Sequence, residues 1–149
     1  MSYTKVSNYL GFLGLFPFFA GLVLSATQYE IYGISGVTVF TTYSLAILCF
    51  LAGTVWGQIL KVEASLRYQM NLIMTNVLVV FGWFAFFTSQ TLYVFGIVIF
   101  AVAFVGILFL EFNLFKLSTT RQNGQYARLR IILTSIVVAA HAGMVVIHV

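Results

Sequence analysis

The chain has 149 residues, the length of one domain. Hydrophobic residues make up 62% and charged residues only 7%, with a mean hydropathy of +1.07, whereas soluble domains run at about 45–50% apolar and about 25% charged. That excludes an ordinary water-soluble domain. It also excludes a nucleic-acid binder despite the net charge of +4, because all seven basic residues sit between or beside apolar runs and form no basic face.

The first element follows a short polar lead carrying Lys5. Tyr9 to Ala26 has the outline of a signal peptide, but Leu24 is too large for the position three before a cut after Ala26. We read residues 9–26 as a first span. Pro17 removes a backbone donor and leaves the carbonyl of Leu13 unpaired, which predicts a kink between Leu13 and Phe18. Gly11 and Gly14 flank that kink and have room for a neighbouring helix. A connection over 28–36 carries Glu30 and two tyrosines, Tyr29 and Tyr32, suited to a membrane interface.

Nothing charged interrupts the sequence between Glu30 and Lys61, more than the ~20 residues a bilayer requires. The second span is placed at 36–60. Within it Ala46, Cys49, Gly53 and Gly57 recur at steps of three, four and four, giving one helix face of small side chains. Gly53 and Gly57 make a GxxxG pair, which permits close helix approach where lipid and protein are equally apolar. Cys49, the one cysteine, excludes an internal disulfide and is read as a small packing residue.

After the charged stretch 61–69, with Glu63 and Arg67 four apart, come 43 uncharged residues from Tyr68 to Leu110. At ~1.5 Å per residue this covers about two bilayer thicknesses and predicts a helical hairpin. The polar Ser89-Gln90-Thr91 marks its turn, so spans three and four are placed at 69–88 and 91–115. Lys116 to Arg130 is the soluble connection, with Asn123-Gly124 as a turn signal. The fifth span is placed at 128–148. No internal repeat of the transporter kind is present.

The fold class expected is therefore an all-α integral membrane protein, a single domain of five transmembrane helices. Five spans put Lys5, Lys61, Arg67, Lys116, Arg121, Arg128 and Arg130 on one side. The positive-inside rule makes that side cytoplasmic (or matrix), with the N-terminus there and the C-terminus outside. The basic residues serve as topology signals and lipid-headgroup contacts. A bacterial inner membrane is the expected location, a mitochondrial inner membrane the alternative.

Polar residues inside the spans are the candidates for chemistry. Thr134, His141 and His148 are seven apart and share a face. His141 lies near the midplane and is read as a neutral histidine hydrogen-bonded between helices, in preference to a proton-handling or ligating group. His141 and His148 are roughly 10.5 Å apart along a helix, too far to share one metal ion, so no metal and no cofactor is expected. Glu111, the one acid within a span, is read as a structural ion pair with Lys116, Arg128 or Arg130. Gln69, Asn76, Trp83 and Gln90 repeat every seven residues; this stripe is expected to face the bundle as hydrogen-bonding glue, with a small polar cavity as the sharper alternative. There is no nucleophile–base pair, phosphate loop or carboxylate dyad, and no catalysis is expected.

Three groups of residues carry a resemblance. They are Leu10-Gly11, Gly14 and Pro17-Phe18; Tyr43, Ile47-Leu48, Phe50-Leu51, Gly53 and Trp56-Gly57; and Tyr126, Arg128-Leu129-Arg130 and Leu133-Thr134. With them the chain resembles an uncharacterised membrane-protein family that includes mitochondrial transmembrane protein sixty-nine and short bacterial inner-membrane proteins. Members often carry a His where this chain has Val55, and a proline in the third span that is absent here. Glu111 matches an acid near the end of their fourth span. The resemblance implies the membrane fold and assigns no activity.

Two functions remain in view. The first is a non-catalytic subunit or assembly partner of a larger membrane complex, touching lipid and either other subunits or a second copy. The second is a small oligomeric transporter or channel with a polar path at Asn76, Trp83 and His141. A transporter requires a cavity reaching those residues; an interaction protein requires a dry bundle and an exposed small-residue groove.

Overall fold

A computed structural model describes residues 3–60, 65–115 and 123–149. Six helices follow one another: α1 (Tyr3–Leu13), α2 (Phe16–Thr27), α3 (Gly36–Ile59), α4 (Leu66–Ser89), α5 (Tyr93–Phe115) and α6 (Asn123–His148). No strand occurs among the described residues, apart from one isolated bridge between Ile31 and Ile34. Among the described residues, five stretches are long and apolar enough to cross a membrane: Asn8–Thr27, Gly36–Ile59, Leu66–Ser89, Tyr93–Leu114 and Gly124–His148. This is a multi-pass membrane protein, all-helical over its described residues. Span boundaries fall within a few residues of those read from the sequence.

The first span is broken into α1 and α2 where Pro17 requires it. Leu15 N–H turns back to the Phe12 carbonyl, and Phe18 N–H to the Leu15 carbonyl, both one residue short of helical register. The Gly14 carbonyl is thereby left without an intrahelical donor, and the Tyr43 hydroxyl of α3 donates to it at 2.9 Å. The break around the proline thus frees an acceptor one residue beyond Leu13, and a tyrosine of the next span, 29 residues on, satisfies it.

Between α2 and α3 the chain makes a two-residue turn. Ile31 and Ile34 exchange both backbone hydrogen bonds, and Tyr32 (φ 52°) and Gly33 (φ 76°) occupy the left-handed region this mirror-image turn demands. Tyr32 is fully exposed. Ser35 then caps α3, accepting from Thr38 N–H at 3.2 Å.

The helices form a closed ring. Each of α2 to α6 packs against its neighbour in sequence, α6 returns against α2, and α3 and α5 touch across the middle. On α5 the inward positions are Ile97, Phe100, Ala103, Phe104, Ile107, Leu110 and Leu114, at helical spacing. On α3 they include Phe40, Thr41, Ser44, Leu48, Leu51 and Val55.

Close approach rests on glycines other than the GxxxG pair. A side chain on Gly36 would collide with the backbone of Leu24 and Ser25, and one on Gly96 would lie 2.7 Å from the Ala85 carbonyl and 2.6 Å from Ser89 N. Gly21 similarly lies against the backbone of Phe40. Two of these three stand within a few residues of a hairpin turn, where consecutive helices converge. Gly53 and Gly57, in contrast, have nothing within 4 Å of where a Cβ would stand. Gly36→Ala and Gly96→Ala are therefore expected to lower stability by ~1–3 kcal/mol through overpacking, with Gly53→Ala close to neutral. Thermal unfolding of the three variants in mild detergent checks this.

Candidate functional site

His141 occupies the centre of the bundle, with 1% of its surface exposed. Four phenylalanines surround the ring: Phe18 from α2, Phe40 from α3, and Phe100 and Phe104 from α5, with ring centroids 4.7–6.2 Å away. Its Nδ1 lies 2.8 Å from the Val137 carbonyl. A carbonyl only accepts, so Nδ1 carries the proton and Nε2 is the acceptor. Ser44 Oγ, 3.2 Å from Nε2, is the donor that faces it. Ser44 also lies 2.8 Å from the Phe40 carbonyl, so one hydroxyl proton serves two acceptors. The arrangement fastens α6 to α3.

Two turns beyond, the same face of α6 carries His148, whose Nε2 is 3.0 Å from Ser25 Oγ of α2, beside the Tyr93 ring of α5 at 5.3 Å. At the other end of the bundle Glu111 is completely buried. Arg130 Nε donates to it at 2.7 Å, and the Tyr126 hydroxyl stands 3.5 Å from its other oxygen. Arg130, read from the sequence both as a headgroup residue and as one of three candidate partners of Glu111, is 6% exposed and belongs inside the bundle as that partner. Arg67 and Arg128 are exposed, as headgroup contacts require, while Lys61, Lys116 and Arg121 lie outside the described residues.

Of the heptad stripe, Gln69, Asn76 and Trp83 lie on the exposed face of α4. Gln90 at its C-cap makes the one expected interhelical contact, accepting from Thr38 Oγ1 of α3 at 3.3 Å. Gln69, Asn76, Trp83 and Gln90 are all exposed; Asn76 donates its amide to the Leu72 carbonyl of its own helix at 2.9 Å, which removes the need for a partner helix. The inward face of α4 consists of Asn71, Thr75, Gly82, Ala85 and Ser89. Thr75 Oγ1 accepts from Trp56 Nε1 of α3 at 2.9 Å and donates to the Leu72 carbonyl. Small and hydroxyl residues at steps of four, seven, three and four were the available signal for this face. Asn76 and Trp83 point outward while His141 is central, so the three line no common path.

The small-residue face of α3 also points outward. Ala46, Cys49, Gly53 and Gly57 are all exposed. Among the described residues nothing lies within 4 Å of where a Cβ would stand on Gly53 or Gly57, so a side chain there produces no overpacking of the bundle itself. Among the described residues no group of three or more His, Cys, Asp or Glu converges on a point.

Two substitutions test the polar contacts. His141→Gln should keep the fold, since an amide can accept from Ser44, whereas His141→Leu should lower stability by ~0.6–2 kcal/mol. Glu111→Leu should cost more, ~3–5 kcal/mol, because it leaves the Arg130 charge buried alone, and adding Arg130→Met should recover part of that loss. Denaturant titrations in detergent would reveal both effects, and the second pair should be strongly non-additive.

Comparison with curated proteins and with solved structures found no match. A family model described as protein of unknown function (DUF3429) matches residues 3–146. With nearly its whole length covered, from the α1 helix to the last turn of α6, the chain belongs to the DUF3429 family.

Proposed function

We propose that the protein is a non-catalytic component of a bacterial inner membrane, a subunit or assembly partner of a larger membrane complex that docks through α3. The carrying observation is the strip of Ala46, Cys49, Gly53 and Gly57: it is exposed along three turns and, at both glycines, nothing within 4 Å fills the space. A second helix laid there could approach to backbone distance, the geometry that favours association in lipid. The partner is another membrane subunit or a second copy of the chain. The absence of a shared path among Asn76, Trp83 and His141 weighs against a transporter.

The N-terminus and the 116–130 connection are assigned to the cytoplasm and Val149 to the outside. Support comes from the clustering of all seven basic residues on the first of these sides.

Two experiments test the reading. Gly53→Leu combined with Gly57→Leu should leave thermal stability in detergent unchanged within ~0.5 kcal/mol while abolishing co-purification of membrane partners or self-association. Retained association would refute the α3 interface. Separately, single cysteines at Gly124 and Val149, with Cys49 replaced, should differ in whole cells: an impermeant thiol reagent is expected to label Val149→Cys and to spare Gly124→Cys.

A further inference from the structure

The end of the bundle that holds Glu111 also contains a cavity of about 470 Å³ between α1, α3 and α6, within the ~300–1,000 Å³ usual for small-molecule sites. Its walls are Leu10 and Gly11 of α1, Ile47, Leu51 and Thr54 of α3, and Leu133 of α6, with Arg130 and Thr134 supplying the polar end. Those last two carry the argument. Arg130 Nη2 and Thr134 Oγ1 are buried and have no hydrogen-bond partner in the protein, although both residues are more than nine-tenths buried. Buried donors are rarely left unmade, because each then forfeits its hydration without return. Here the two lie on one helix four residues apart, at the wall of a space whose remaining lining is apolar apart from Thr54 and Tyr126.

We infer that this cavity binds a long-tailed lipophilic molecule whose head is an uncharged carbonyl oxygen, accepting from Arg130 Nη2 and Thr134 Oγ1. The apolar walls select the tail. The charge state of the head follows from Glu111, which already neutralises Arg130 through Nε: an anion added there would bury one uncompensated charge, and a neutral carbonyl adds none. Acyl esters and quinones share this chemistry. The site is distinct from the α3 strip, and neither reading depends on the other.

The test uses the full chain in mild detergent with a diazirine-bearing methyl palmitate as the photoreactive probe. Label should concentrate on peptides holding Leu10, Leu51 and Leu133, and excess unlabelled methyl palmitate or decylubiquinone should displace it. Whichever competes at lower concentration identifies the ester or the quinone as the source. Thr134→Val removes one donor without removing any bond inside the protein, so it should leave thermal stability intact and weaken competition about tenfold. Thr54→Phe should block labelling by occupying the space. Label spread evenly over lipid-facing positions such as Phe84 and Val102, or unaffected by both variants, would overturn the assignment and leave the donors to water. Ionised palmitate competing as well as its methyl ester would overturn the neutral head.

Discussion

The hydrogen bond between Ser44 and His141 is the fastening around which the bundle closes. Lipid offers no reward for hiding one apolar surface against another, so helices in a membrane associate through tight packing and a few polar bonds. Here the polar bond joins α3 to α6, while the four phenylalanines around the imidazole come from α2, α3 and α5. Four of the five spans therefore meet at one residue. The remaining span, α4, is attached by different means: Trp56 to Thr75 by a hydrogen bond, and Gly82 and Gly96 by close approach.

The other polar contacts are spread along the length of the bundle. Ser25 and His148 hold α2 to α6 at one end, His141 holds the middle, and Arg130 and Glu111 hold α5 to α6 at the other. Three levels of attachment on α6, at positions 130, 141 and 148, fix both its height and its rotation. A helix held by one bond could still slide or turn.

Span number and boundaries were legible in the sequence because charge, the costliest thing to place in hydrocarbon, marks where each span stops. The break at Pro17 was legible for an equally local reason, the missing donor. Facing direction was not legible, because core and lipid sides are both apolar and a pattern of hydrophobicity cannot tell them apart. The α4 stripe shows the difficulty: Asn76 is polar by composition, yet it satisfies itself on its own backbone and faces out. Similarly, GxxxG names a face fit for close packing without saying which helix arrives, and inside this chain the approach falls to Gly21, Gly36 and Gly96. The Glu111 ion pair was legible as the one acid in a span close to three cations. Which of Lys116, Arg128 and Arg130 turns inward to meet it was set by the fold, which chooses Arg130.

The closure of α6 onto α2 has a consequence for how the chain is made. Synthesis delivers Glu111 on α5 before Arg130 on α6 exists, and it presents the seat for His141 before the histidine arrives. A nascent chain of four spans therefore holds a carboxylate without its cation and a Ser44 without its imidazole, both at positions the finished protein buries. The last helix is thus a keystone in the order of biogenesis. Chains truncated before it retain the α2–α3, α3–α4 and α4–α5 pairings and lack the piece that closes them into one bundle, so their buried acid stays unpaired.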